Sequence, residues 1–144
     1  GENAPIGSAL IGQAFTDARY FWGRPSATTP PYNAVGSGGS NLSVGSAAQQ
    51  QAVKDRIQAL RKIDPANKNP IPIDLVTASA SGLDPHISPQ GAYYQAARIA
   101  KERGMPEQAV RQLIETHTEP AQFFVLGAPR VNVLLLNRAL DAKQ

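Results

Sequence analysis

The sequence contains no cysteine among its 144 residues, which excludes disulfides, zinc–thiolate centres and thiol nucleophiles outright. Charge is also scarce: Asp, Glu, Lys and Arg make up 17% of the chain, against about 25% in typical globular proteins. Aromatic residues amount to 6%, with a single tryptophan. No apolar run approaches the ~18 residues of a membrane-spanning helix, and no signal peptide is visible. The 14 basic residues exceed the 11 acidic ones by three, but they are scattered, and only Arg61-Lys62 and Lys101…Arg103 come close to a cluster. A nucleic-acid surface needs a concentrated basic stripe with interleaved aromatics, so no nucleic-acid partner is expected.

Glycine and proline, by contrast, are plentiful, at 12 each. One residue in six is a turn former, which implies many irregular connections. The length suits one domain, and the 42% hydrophobic content is enough for a core without covalent staples. The expectation is a single soluble α+β domain over residues 1–144, a small β-sheet packed by three or four helices and rich in loops. Gly1–Pro5 reads as a loose end, and the Pro, Gly, Ser and Thr-rich stretch from Arg24 to Ser46 as an ordered surface loop.

Four helices are legible. Ala47–Ile63 carries Val53, Ile57 and Leu60 at i, i+4 and i+7 and is stopped by Asp64-Pro65. The next has unusually complete punctuation: Ser88 as N-cap, Pro89 at the first helical position and Gly104 as the stop. Tyr93, Ala96, Ala97 and Ala100 form its slim apolar face. A third opens at Pro106-Glu107 and ends near Thr116. After Pro129, the spacing of Val131, Leu134, Leu135 and Ala139 predicts a helix, although Val131, Val133 and Leu135 also alternate as a strand would. Ile73–Ala78, rich in β-branched residues, predicts a buried strand, and Phe123–Leu126 a shorter one.

Two segments invite chemistry. Ser37-Gly38-Gly39-Ser40-Asn41 supplies backbone and hydroxyl donors suited to phosphate, yet it lacks the lysine and spacing of a P-loop and the spacing of a dinucleotide fingerprint. A tight turn is the favoured reading. Thr77–Ser88 leaves the expected strand and enters a helix, bringing Ser79, Ser81, Asp84 and His86 into one stretch. A serine–histidine–acid site is tempting there, but the Gly-x-Ser-x-Gly elbow is absent. Hydrogen bonding of Asp84, His86 and Ser88 to the local backbone is favoured instead. His117 is expected at a helix C-terminus rather than on a metal. Arg24 and Arg130, each beside a proline, are expected to pair with local carboxylates or to anchor an acidic partner. Tyr20, Phe21, Trp22 and Tyr32 are expected in the core.

Taken in order, several of these stretches resemble the C subunit of the Kdp-type potassium-transporting P-type ATPase. They are Gly7–Phe15, Tyr20–Ala27, Pro31–Asn33, Ser37–Leu42, Ile71–Ser88, Leu113-Ile114 with His117–Glu119, and Pro129–Leu134. The resemblance implies a subunit that is not an enzyme by itself, in a bacterial high-affinity potassium uptake system. Its partners would be a channel-like potassium-binding subunit and a separate ATP-hydrolysing subunit. It further implies a soluble, periplasmic domain held to the inner membrane by an N-terminal helix not included in these residues. A role in assembly and coupling is implied, with no tightly bound cofactor. ATP would enter through the complex, its affinity raised through Ser37–Asn41. That loop as a nucleotide-binding regulatory element is the alternative. Arg24, Asp84, His86 and Arg130 are candidate interface residues. Two departures stand out: Ala128 replaces an acidic residue often found before Pro-Arg-Val-Asn, removing a neighbour for Arg130, and Gly91 sits early in a helix, at up to about 1 kcal/mol relative to alanine.

Overall fold

The computed structural model describes residues 9–28, 30–33, 35, 45–121 and 127–143. Helix α1 spans Ala47–Ile63, the bounds its periodicity predicts, with Ser46 accepting from the Gln49 N–H as N-cap. Strand β1 is His86–Ile87, α2 is Pro89–Arg103, α3 is Glu107–Thr116, β2 is Thr118–Glu119, β3 is Arg130–Asn132 and α4 is Val133–Asp141. The strands form one antiparallel sheet in the order β1-β3-β2. Four helices and a small sheet make this the α+β arrangement expected. The Gly1–Pro5, Ser37–Asn41 and Phe123–Leu126 expectations fall outside the described residues.

The punctuation around α2 works as its residues require. The Ser88 hydroxyl accepts from the Gly91 N–H at 2.9 Å, and Gly104 closes the helix at φ 63°. In the segment after Pro129, the helix expected to include Val131 begins only at Val133. Arg130–Asn132 pairs as β3 without alternating burial, Asn132 caps α4 by accepting from the Leu135 N–H at 3.1 Å, and Leu135 itself is exposed. Ile73–Ala78 is misread outright. It is a single 3-10 turn, Ile73–Leu75, and not a strand. Leu75 alone of Ile73–Leu75 is buried, while Ile73 is 75% exposed. The backbone bonds locally instead, with the Val76 and Thr77 N–H groups donating to the Ile73 carbonyl, and Asp74, a residue disfavoured in strands, directs its carboxylate to Ser88.

The core joins Phe21, Leu60, Leu75, Ile99, Val110, Ile114, Val131, Leu136 and Leu140. Helix α2 runs through its centre and is buried on most of its circumference, including Tyr94, Gln95 and Arg98, whereas Ala97 faces solvent. Helix α1 is more peripheral: Leu60 is its one buried residue, and Ile57 is exposed.

The polar side chains in this core have a specific task. The aromatic segment before Gly23 has no strand neighbour, so its backbone groups need other partners. Asn137 accepts from the Phe21 N–H at 2.8 Å and donates to the Phe21 carbonyl at 3.0 Å. Gln95 does the same for Trp22, at 2.8 and 3.0 Å. Arg98 donates to the carbonyls of Ala18 and Tyr20, and Arg103 to that of Arg19 at 2.7 Å. Trp22 also lies under two guanidiniums, with Arg56 Cζ 5.0 Å and Arg98 Cζ 5.8 Å from its ring centroid. Burial pushes the Arg98 guanidinium down to about 10, with Asp64 and Glu102 acting in the opposite direction.

Replacing Asn137 by leucine, nearly equal in volume, leaves the Phe21 N–H and carbonyl buried and unpaired. At about 1–3 kcal/mol for each orphaned group, a loss of about 3 kcal/mol is expected. Urea unfolding followed by Trp22 fluorescence measures it.

Candidate functional site

The stretch from Thr77 to Ser88 is drawn together by carboxylates. Asp84 Oδ1 accepts from the His86 N–H at 3.0 Å and faces His86 Nδ1 at 3.1 Å. Its Oδ2 stands 3.6 Å from Arg24 Nη1. Arg24 in turn donates to the Thr77 carbonyl at 3.4 Å and the Ala78 carbonyl at 3.1 Å. Three of the four residues singled out as an interface therefore form one partly exposed cluster, in which a segment near the N-terminus grips the 77–88 loop. Ser26 adds a second clasp by donating to the Gly82 carbonyl at 2.7 Å.

The fourth residue, Arg130, belongs elsewhere. It lies opposite Glu119 in the β2–β3 register and pairs with that carboxylate at 3.0 Å, both side chains being about half exposed. The partner that Ala128 cannot supply comes from across the sheet. An exposed pair of this kind contributes little to stability, and it leaves both charges on the surface.

No serine joins the histidine. Ser79 is buried, the Ser81 hydroxyl accepts from the Leu83 N–H at 3.1 Å, and the His86 ring nitrogen is taken by Asp84. The cluster has no nucleophile–base hydrogen bond, the minimum that acyl transfer through serine requires. His117 sits where a helix end predicts, with Nδ1 donating to the Leu113 carbonyl at 2.8 Å as the cap of α3. Among the described residues no group of three or more His, Asp and Glu side chains is arranged to hold a metal.

Ser88 has a partner that sequence reasoning missed. Asp74 accepts from the Ser88 N–H at 2.6 Å and from its hydroxyl at 3.0 Å, so the 3-10 turn is tied to the start of α2. This capping pair also explains Gly91. A Cβ there would lie 3.1 Å from Asp74 Oδ2 and 3.3 Å from Ser88 Oγ, and neither atom is free to yield. The only signal in the sequence was an aspartate in a run otherwise suited to a strand.

With this geometry in hand, the comparisons with known proteins are decisive. The family described as KdpC, K+-transporting ATPase, c chain, matches residues 1–142. The chain belongs to the KdpC family. A potassium-transporting ATPase KdpC subunit from Polaromonas naphthalenivorans is 61% identical over 142 residues, covering 98% of this chain and 72% of the relative. That of Polynucleobacter asymbioticus is 62% identical over 137 residues, covering 94% and 72%. That of Methylibium petroleiphilum is 59% identical over 144 residues, covering 99% and 75%. KdpC members are thus subunits of a potassium-transporting ATPase, and no helix among the described residues of this one is long and apolar enough to cross a membrane.

Gly91→Ala is expected to destabilise the protein by about 1 kcal/mol through overpacking against the Asp74–Ser88 pair, although helix propensity alone predicts the opposite sign. Thermal unfolding of the variant decides between them. Asp84→Asn is expected to release the 77–88 loop while leaving the helices intact, read as faster amide exchange at His86 with unchanged far-UV circular dichroism.

Proposed function

We propose that this chain is a non-catalytic accessory subunit of an ATP-driven potassium uptake pump of the bacterial inner membrane. It docks onto a channel-like potassium-binding chain and an ATP-hydrolysing chain, assisting their assembly and coupling. The observation that carries this reading is the family match over residues 1–142. The chemistry of the described residues agrees with it. The Asp84 carboxylate is divided between Arg24 and His86, and the serines nearby are engaged with backbone or buried, so the cluster works as a clasp. Its partly exposed face, together with Arg130, is the surface we assign to docking. The domain stands on the periplasmic side, anchored by an N-terminal helix, as the family resemblance implies. Within this role, Ser37–Asn41 is the segment we assign to raising the nucleotide affinity of the ATP-hydrolysing chain.

Co-expression of the full-length protein with tagged partner chains tests the reading. Copurification is expected, and deletion is expected to abolish potassium-stimulated ATP hydrolysis. Absence of copurification, or full activity without the subunit, overturns it. Gly38→Ala and Gly39→Ala are expected to raise the KM for ATP of the assembled pump without dissociating it. An unchanged KM removes the loop from the proposal.

A further inference from the structure

A second site lies beside the clasp. A cleft of about 260 Å³ opens between the Gln13–Thr16 segment, the Gly23–Ser26 segment and α1, with Tyr32 as one wall. Its lining includes Arg24 and Arg56 and no Asp or Glu. Arg56 is half-buried, and burial lowers its affinity for the proton below the ordinary arginine value. Its Nε donates to the Leu75 carbonyl at 3.0 Å and Nη2 to the Gly23 carbonyl at 2.8 Å, while no carboxylate among the described residues pairs with it. The Arg24 guanidinium is engaged by the 77–88 loop, with Asp84 at 3.6 Å and the Thr77 and Ala78 carbonyls as its acceptors. Arg56 therefore borders the cleft with no carboxylate among the described residues to answer its charge, an arrangement that favours an anion.

The wall opposite is held under strain. Tyr32 is the one non-glycine residue with positive φ among those described, at 61°. It stays there because its N–H donates to Ser26 Oγ at 2.9 Å and its hydroxyl to the Arg24 carbonyl at 2.5 Å. Its ring lies against Gly12, where a Cβ would come within 2.6 Å of Tyr32 Cδ1. Strained backbone over-determined by its surroundings is a recurrent feature of ligand clamps.

We propose that this cleft binds a carboxylate, which takes the unused edge of Arg56 and neutralises its charge. The planar guanidinium fork matches a carboxylate, and Phe15 and Pro25 suit a short apolar stem behind it. Such a carboxylate comes either from an acidic side chain of another pump chain, a source that rests on the accessory-subunit reading, or from a free small acid.

Trp22 is the only tryptophan and lies against Arg56, so its emission reports on the cleft. The chain is titrated with sodium acetate, with sodium chloride at equal ionic strength and with sodium phosphate, following Trp22 emission and the thermal midpoint. A saturable change with acetate, absent with chloride, is expected, and Arg56→Gln should weaken it about tenfold or more. Because that variant also gives up two carbonyl contacts, Thr16→Glu is the companion. It plants a carboxylate at the exposed rim and is expected to raise the thermal midpoint and abolish the acetate response. No saturable acetate response, a response to phosphate alone, or an acetate response unchanged in Thr16→Glu overturns the proposal. In the co-expressed pump, loss of copurification by Thr16→Glu assigns the carboxylate to a partner side chain, and retained copurification assigns it to a free acid. Failure of the unmodified protein to copurify would count against the accessory reading and leave the titration standing.

Discussion

The structure depends on how the backbone of Ala18–Trp22 is satisfied. This segment carries the largest aromatic area into the core yet has no neighbouring strand, so its N–H and carbonyl groups would be buried without partners. Two amide side chains, Gln95 and Asn137, each present both a donor and an acceptor and so imitate a strand edge. Arg98 and Arg103 complete the row. The small sheet then has to organise only the other end of the molecule, where β3 receives β1 on one side and β2 on the other.

This division of labour accounts for what could be read from the sequence. The bounds of α1 to α3 were legible because local chemistry sets them: Ser88 caps, Gly104 and Asp64-Pro65 terminate, whereas the start of α4, capped by Asn132, falls two residues after the expected Val131. What could not be read is polar burial. Gln95, Arg98 and Asn137 look like solvent-facing residues in a helical pattern, and their partners lie 73–116 positions away. No local periodicity encodes such a pairing. Ile73–Ala78 failed for a related reason, since its β-branched composition predicts a strand while Asp74 is claimed by Ser88.

The candidate site was legible in part. The nearness of Asp84 and His86 follows from their spacing, and a local role for both was the favoured reading. Arg24 arrives from 60 positions away (84 − 24), and its joining them follows from the tertiary fold, because Ser26 and Tyr32 fold the proline-rich stretch back onto the 77–88 loop. The pairing of Arg130 with Glu119 required the register of β2 against β3, which neither strand, at two and three residues, is long enough to announce. The Arg56 cleft was invisible for the same reason: in α1 that arginine occupies what reads as the polar face.

The bond from Phe21 to Asn137 spans 116 residues. On a ribosome adding about 5–20 residues each second, the aromatic segment waits on the order of 10 s before its last partner emerges. Until then its backbone remains hydrated and the core stays open at that side. A nascent chain of this kind completes its tertiary packing only after α4 has been made, so any encounter that requires the finished surface waits for that helix.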